Sequence, residues 1–198
     1  MLDNVISKSN NIKVPGFPGA FFFVEKEVIF FLSFYISSLK GGDSLLSPSL
    51  EDYLEEICRI SQRGEAVRVT DIAACLKVSL PSVTRAMQRL DESNYIKYRR
   101  YKEIILTDKG KEFGQFLVER NRIIRDFLKL IGSECDAAAE AEAMEHYLSL
   151  PTLLAIMNFV KFSEKHSFWL DEYKQFCLAN KERPGLTPGH TIIPKPET

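Results

Sequence analysis

The sequence predicts a mainly α-helical fold: an N-terminal winged helix-turn-helix domain followed by an all-helical second domain. Three observations carry this reading. Residues 69–92 pair a short helix with an amphipathic one across a tight corner, and residues 95–107 hold two β-prone runs around a basic turn. From Asp108 to about residue 179, apolar residues recur at helical spacing through four successive segments.

The elements follow in order. Ser47 or Ser49 caps a first helix that opens on Ser49-Leu50-Glu51-Asp52-Tyr53-Leu54-Glu55. Thr70 caps a short helix through Ala73 and Leu76, and Pro81 stands at the first position of the next helix after the Val78-Ser79-Leu80 corner. There Val83, Met87 and Leu90 face inward, leaving Ser82, Thr84, Arg85, Gln88 and Arg89 outward. An inward stripe beside a face of hydroxyls and long donors suits a helix lying in a DNA major groove. An ordinary amphipathic pair has the same pattern, but the hairpin arrives where a wing belongs. That hairpin tip carries Lys97, Arg99, Arg100 and Lys102 among tyrosines. Charge runs are commonly solvated faces, whereas one placed directly after such a helix is positioned for DNA phosphates.

Beyond the wing, Asp108 caps a long helix that Gly132 ends. A second helix covers about 135–149, a third starts at Pro151, and a fourth, about 167–179, carries Phe168, Trp169, Tyr173 and Phe176. So much aromatic surface on helices after a wing points to a homodimer, whose two-fold axis matches a pseudo-palindromic operator. The domains read as 1–47, an N-terminal extension of unknown role; 48–110, the winged helix-turn-helix; 111–180, the helical domain; and 181–198, a flexible tail rich in Pro and Gly.

In the extension, Ala20 to Leu39 is aromatic and apolar, but Glu25, Lys26 and Glu27 divide it. It reads neither as a membrane span nor as a signal peptide. Three readings stay open: an extra helix or strand packing on the dimer, a weak membrane contact, or an upstream extension from a misassigned start. The last is favoured, with the protein beginning near Leu45 or Leu46. No membrane is expected as a partner, and the location expected is cytoplasmic.

A formal net charge of −1 over 198 residues excludes a global positive field. The basic charge is local: Ser61 to Gly110 holds ten Lys and Arg against six Asp and Glu, so the rest is acidic, notably Glu134 to Glu145. Cys58, Cys75, Cys135 and Cys177 are scattered without a zinc or disulfide spacing and read as reduced thiols. Cys135, upstream of Glu142, is kept as a candidate metal ligand.

Two short patterns carry chemistry. Asp52 and Glu55 share a face of the first helix. Glu142, Glu145 and His146, at i, i+3 and i+4, place two carboxylates and an imidazole on one stripe. Oxygen donors with one nitrogen suit Mn(II) or Fe(II) better than thiophilic ions. Acidic helices also contain this spacing by chance, and alone it leaves both readings open. No nucleophile or general-base constellation accompanies the carboxylates, so a hydrolase is not expected.

The order of these parts resembles the diphtheria toxin repressor family, most of all its manganese transport regulator branch. The similarity covers about residues 48–165, through EDYLEEI at 51–57, VTDIAACLKVSLPSVTRAMQRLD at 69–91, YRRYKEIILTDKGKEFG at 98–114 and EAMEHYLS at 142–149. The resemblance implies Asp52, Glu55, Glu142, Glu145 and His146 as ligands of a regulatory metal, and Ser79, Ser82, Thr84 and Arg85 as residues that approach DNA. It implies a metal-binding and dimerisation role for the helical domain, and a Mn(II)- or Fe(II)-activated repressor of metal-uptake genes with no small-molecule substrate. One departure stands out: Asn121 replaces the histidine of the family's long helix. An amide carbonyl is a weaker donor, so affinity falls, one of two metal positions is lost, or regulation has drifted. The alternative to a metal sensor is therefore a metal-independent winged-helix regulator with a degenerate site. Arg125 and Ala138 stand where the iron-sensing branch has ancillary ligands.

Overall fold

The computed structural model describes residues 46–99 and 102–180, together with the backbone of two short strands near the N-terminus. These strands, β1 (Asn11–Ile12) and β2 (Phe22–Phe23), pair antiparallel with Ile12 opposite Phe22. The remainder of residues 1–45, and the tail beyond residue 180, lie outside the described residues. Of the start expected near Leu45 or Leu46, only Leu46 is described, and it is buried.

Helix α1 (Pro48–Gln62) begins with Ser47 in extended geometry and Pro48 in the first turn, where a missing N–H costs nothing. Its apolar stripe buries Leu54, Ile57, Cys58 and Ile60. Helix α2 (Val69–Leu76) ends where Lys77 enters the left-handed region, φ 54°, which turns the chain sharply into α3 (Leu80–Glu92). Ser79 caps α3, its Oγ accepting from the Ser82 N–H at 3.4 Å. Val83, Ala86, Met87 and Leu90 fill the core beneath.

Strands β3 (Ile96–Lys97) and β4 (Ile105–Leu106) form the wing, Ile96 pairing with Leu106. A backbone bond from Ile104 to Val67 (3.0 Å) fastens it to the loop before α2.

The spine is α4 (Asp108–Leu130). Its first half packs Phe113 and Leu117 into the winged domain, and its second packs Ile124 and Leu128 against the later helices. Gly114 permits this: a Cβ there would lie 2.8 Å from the Cβ of Cys58 on α1. The close approach sets α1 directly beside the middle of α4, where Arg120 and Asn121 are. Gly132, at φ +69°, closes the helix in a Schellman motif, with Ser133 donating to the Leu128 carbonyl at 3.1 Å.

Helix α5 (Ala137–Glu145) is capped by Asp136, and α6 (Leu150–Lys165) by Ser149. Helix α7 (Ser167–Ala179) buries none of its residues in the protomer. Trp169 packs edge-on to Phe159, while Phe168 and Phe176 are 83% and 64% exposed.

Several caps differ from the sequence reading. The α2 cap is Arg68, and Thr70 instead bonds Asp71 at 3.3 Å. Thr107, not Asp108, caps α4, because its hydroxyl accepts from Gly110 at 3.0 Å while bonding the carbonyl of Asn94. The helix expected over 135–149 is only Ala137–Glu145, and Cys135 lies ahead of it.

Candidate metal centre and nucleic-acid interface

Three helices bring an acidic cleft together. Helix α1 presents Asp52, Glu55 and Arg59 at i, i+3 and i+7, one stripe facing away from the Leu54–Ile57 core. Helix α4 supplies Arg120 and Asn121 from its buried middle, and the end of α5 supplies Glu142, Glu145 and, at its C-cap, His146. A cavity of about 210 Å³ opens among Asp52, Glu55, Arg59, Asn121, Glu142 and Glu145.

The donors divide into two halves. In the first, His146 Nε2 lies 3.2 Å from Asp52 Oδ1 and 3.9 Å from Glu145 Oε1, with the three ligating atoms within 4.8 Å of one another. Glu145 is 2% exposed, and its Oε1 lacks a hydrogen bond, as does His146 Nδ1. Arg120 reaches within 3.3 Å of Oε1 but is held by Glu51 at 3.0 Å. An unsatisfied carboxylate oxygen facing an imidazole and a second carboxylate is a costly arrangement that a cation relieves. The fit to a divalent ion with O and N donors is good. Glu142 is exposed at the rim of the cleft.

In the second half, Arg59 occupies the space between Glu55 and Asn121. Its guanidinium donates to Glu55 Oε1 through Nε at 3.1 Å and also through Nη2, which donates at 3.0 Å to Asn121 Oδ1. The Asn121 amide nitrogen then donates to Glu145 Oε2 at 3.0 Å. Only this amide orientation is chemically sound, because guanidinium has no acceptor and a carboxylate no donor. The Asn121 oxygen thus points at Arg59, away from Asp52 and His146.

Electrostatics match the crowding. Burial, reinforced by the Glu145 carboxylate, pushes Glu55 up to about 7 despite Arg59. Burial likewise raises Asp52, with His146 opposing and Glu142 and Glu145 adding to the rise.

Three members of the cleft escape a sequence reading: Arg59, Arg120 and Glu51. The i,i+4 spacing of Glu55 and Arg59 is a signal for that pair. Nothing local marks Arg120, whose partner Glu51 is 69 positions away. Cys135 does not line the cleft; its thiol accepts from the Ser133 hydroxyl at 3.1 Å.

The second surface is α3 with the wing. Arg85, Gln88 and Arg89 are exposed, and Ser82 and Thr84 are half-buried. Ser79 and Ser82 hydroxyls bond each other at 2.9 Å, Thr84 bonds the Leu80 carbonyl, and Arg85 Nε donates to the Pro81 carbonyl at 3.3 Å. Between α3 and the wing a groove is lined by Arg68, Thr84, Gln88, Tyr98 and Lys102. Arg99 and Lys102 are exposed, whereas Arg100 lies outside the described residues. Leu80, 49% exposed at the start of α3, adds an apolar contact that the charge pattern did not reveal.

Comparison with known proteins gives a consistent result. Residues 45–104 match the iron dependent repressor N-terminal DNA binding domain. Residues 107–168 match the iron dependent repressor metal binding and dimerisation domain. The chain is 35% identical over 135 residues to the HTH-type transcriptional regulator MntR of Shouchella clausii, covering 68% of this chain and 94% of that protein. It is equally identical over 137 residues to the MntR of Geobacillus kaustophilus, covering 69% and 97%. Among solved structures it is similar to the manganese regulator SloR, with a TM-score of 0.53 and 27% identity. That match covers 59% of this chain and 55% of SloR.

Proposed function

The chain belongs to the iron dependent repressor family, and on that premise we propose a metal-activated, DNA-binding transcriptional repressor working as a homodimer. Its ion is Mn(II), with Fe(II) second, and its target a pseudo-palindromic operator of a metal-uptake gene. One observation carries the metal assignment: Asp52 from the winged domain meets Glu145 and His146 from the helical domain within 4.8 Å. Glu142, Glu55 and Asn121 are the remaining donors around the cleft.

When bound, a divalent ion supplies positive charge that neutralises the converging carboxylates. The chain does the rest. Asp52 ties α1 to the end of α5 through that contact, and Arg120 holds Glu51 and Glu145 beside it. Because α1 packs on α2 and α3, fixing α1 fixes the attitude of the recognition helix. The free-energy difference between fixed and loose states sets the coupling. Gln88, Arg85 and Arg89 then read base edges and phosphates, with Ser79, Ser82 and Thr84 at the helix start. Arg99, Arg100 and Lys102 follow the backbone. The uncovered aromatic face of α6 and α7 supports a two-fold partner, here a second copy.

The test is fluorescence anisotropy with DNA fragments selected from a promoter library. At fixed salt, affinity rises at least several-fold when Mn(II) replaces chelator. Equal affinity in both conditions contradicts the metal-activated reading and leaves a metal-independent regulator.

A further inference from the structure

We propose that Arg59 and Asn121 fill one half of the acidic cleft with a tethered cation, so that each protomer takes a single metal ion at Asp52, Glu145 and His146. The inference rests on the metal-activated reading above and specifies the chemistry of that site.

The donors are numerous enough for two ions sharing carboxylates, since Asp52, Glu55, Glu142, Glu145 and Asn121 surround one cavity and His146 stands 3.2 Å from Asp52 at its edge. The hydrogen bonds remove that option. Both Arg59 nitrogens that reach Glu55 converge on the same oxygen, Oε1, and Nη2 also takes the Asn121 carbonyl. A metal ion bound by Glu55 and Asn121 would sit where the guanidinium is, and two cations do not share that space. The Glu55 side chain is 8% exposed and cannot turn to solvent cheaply.

Asn121 completes the division. An amide has one accepting and one donating end, so it joins a cation on one side to an anion on the other. Here it joins Arg59 to Glu145, binding Oε2 and leaving only Oε1 to face His146. Among the described residues that oxygen is the one buried carboxylate oxygen without a hydrogen bond, alongside His146 Nδ1, Arg120 Nε and Arg125 Nε. The unbonded carboxylate oxygen therefore lies on the Asp52 side of the cleft. The other half is already neutralised by the chain itself.

The full-length protein, stripped with chelator and desalted, tests this by Mn(II) titration read by native mass spectrometry and electron paramagnetic resonance. The wild type saturates at one Mn(II) per protomer, with the signal of an isolated ion. Arg59→Met with Asn121→His, which removes the tethered cation and adds a donor, rises to two per protomer with a broadened, spin-coupled signal. Arg59→Lys, which keeps a positive charge on that turn, stays at one. Two ions on the wild type, or one on a folded double variant, overturns the inference and leaves metal activation standing. No Mn(II) on the wild type overturns the metal-activated reading itself.

Discussion

His146 Nε2 lies 3.2 Å from Asp52 Oδ1, and this contact joins the last turn of α5 to the first turns of α1. The two residues are 94 positions apart in the chain, on either side of the wing. Any cation drawn to this pair bears directly on how the winged domain sits on the helical one.

Arg120 neutralises this region in the absence of metal, with its side chain 10% exposed between Glu51 and Glu145. Removing it leaves two largely buried carboxylates without their cation. Arg120→Met is expected to destabilise the metal-free protein by about 3 kcal/mol, measured by urea unfolding in chelator. Mn(II) is expected to restore part of that loss, since an ion replaces charge that the arginine provided.

The metal-free protein is expected to lose stability as pH rises. Glu55 is held at about 7 against an ordinary value of 4.5, so the folded state holds this proton more tightly than the unfolded chain. Its contribution is full below about 4.5 and disappears as pH climbs through 7; the raised Asp52 acts in the same direction. Urea midpoints in chelator between pH 5 and pH 8 check the slope. Mn(II) is expected to bind more tightly as pH rises, because the ion competes with the proton on the raised Asp52 carboxyl.

Gly114 sets the spacing of α1 and α4. A Cβ at this position lies 2.8 Å from the Cys58 Cβ and 3.2 Å from its sulfur, so a side chain forces the helices apart. Gly114→Val is expected to cost about 1–3 kcal/mol from overpacking, again by urea unfolding. It is also expected to weaken Mn(II) binding, by moving Asp52 away from His146.

The recognition helix and the wing are expected to fail differently. Arg99→Ala and Lys102→Ala each remove one exposed cation near the hairpin, lowering affinity for all sequences and reducing the salt slope by about one. Gln88→Ala is expected to cost about 1–3 kcal/mol on the preferred sequence and little on random DNA. Anisotropy titrations at several salt concentrations separate the two.

Much of this architecture is legible in the sequence because it is periodic and local. The Val83, Met87, Leu90 stripe lies on the helix expected. Helix α3 starts one residue ahead of Pro81, at Leu80, and of the Glu142, Glu145, His146 group the first two lie on α5 while His146 is its C-cap. The α4 cap shifted by one residue to Thr107, whose hydroxyl also reaches the Asn94 carbonyl, and the α2 cap by two, with the Thr70 hydroxyl turned to the adjacent Asp71. What stayed hidden is the polarity of the cleft's far half. Arg59 and Arg120 look like solvated helix charges until the fold places Asn121 against Arg59 from 62 positions away and Glu51 against Arg120 from 69. Asn121 alone reads as a weakened ligand. With Arg59 beside it, the same amide becomes a bridge between a cation and a carboxylate.

The most direct test of the central claim is promoter-DNA affinity for the wild type and Glu145→Ala, each measured in chelator and in Mn(II) at one salt concentration. Mn(II) is expected to tighten wild-type binding by on the order of ten-fold or more, whereas Glu145→Ala binds DNA in Mn(II) no better than in chelator. A variant that keeps the full Mn(II) response would contradict the assignment of the Asp52, Glu145 and His146 cluster as the switch.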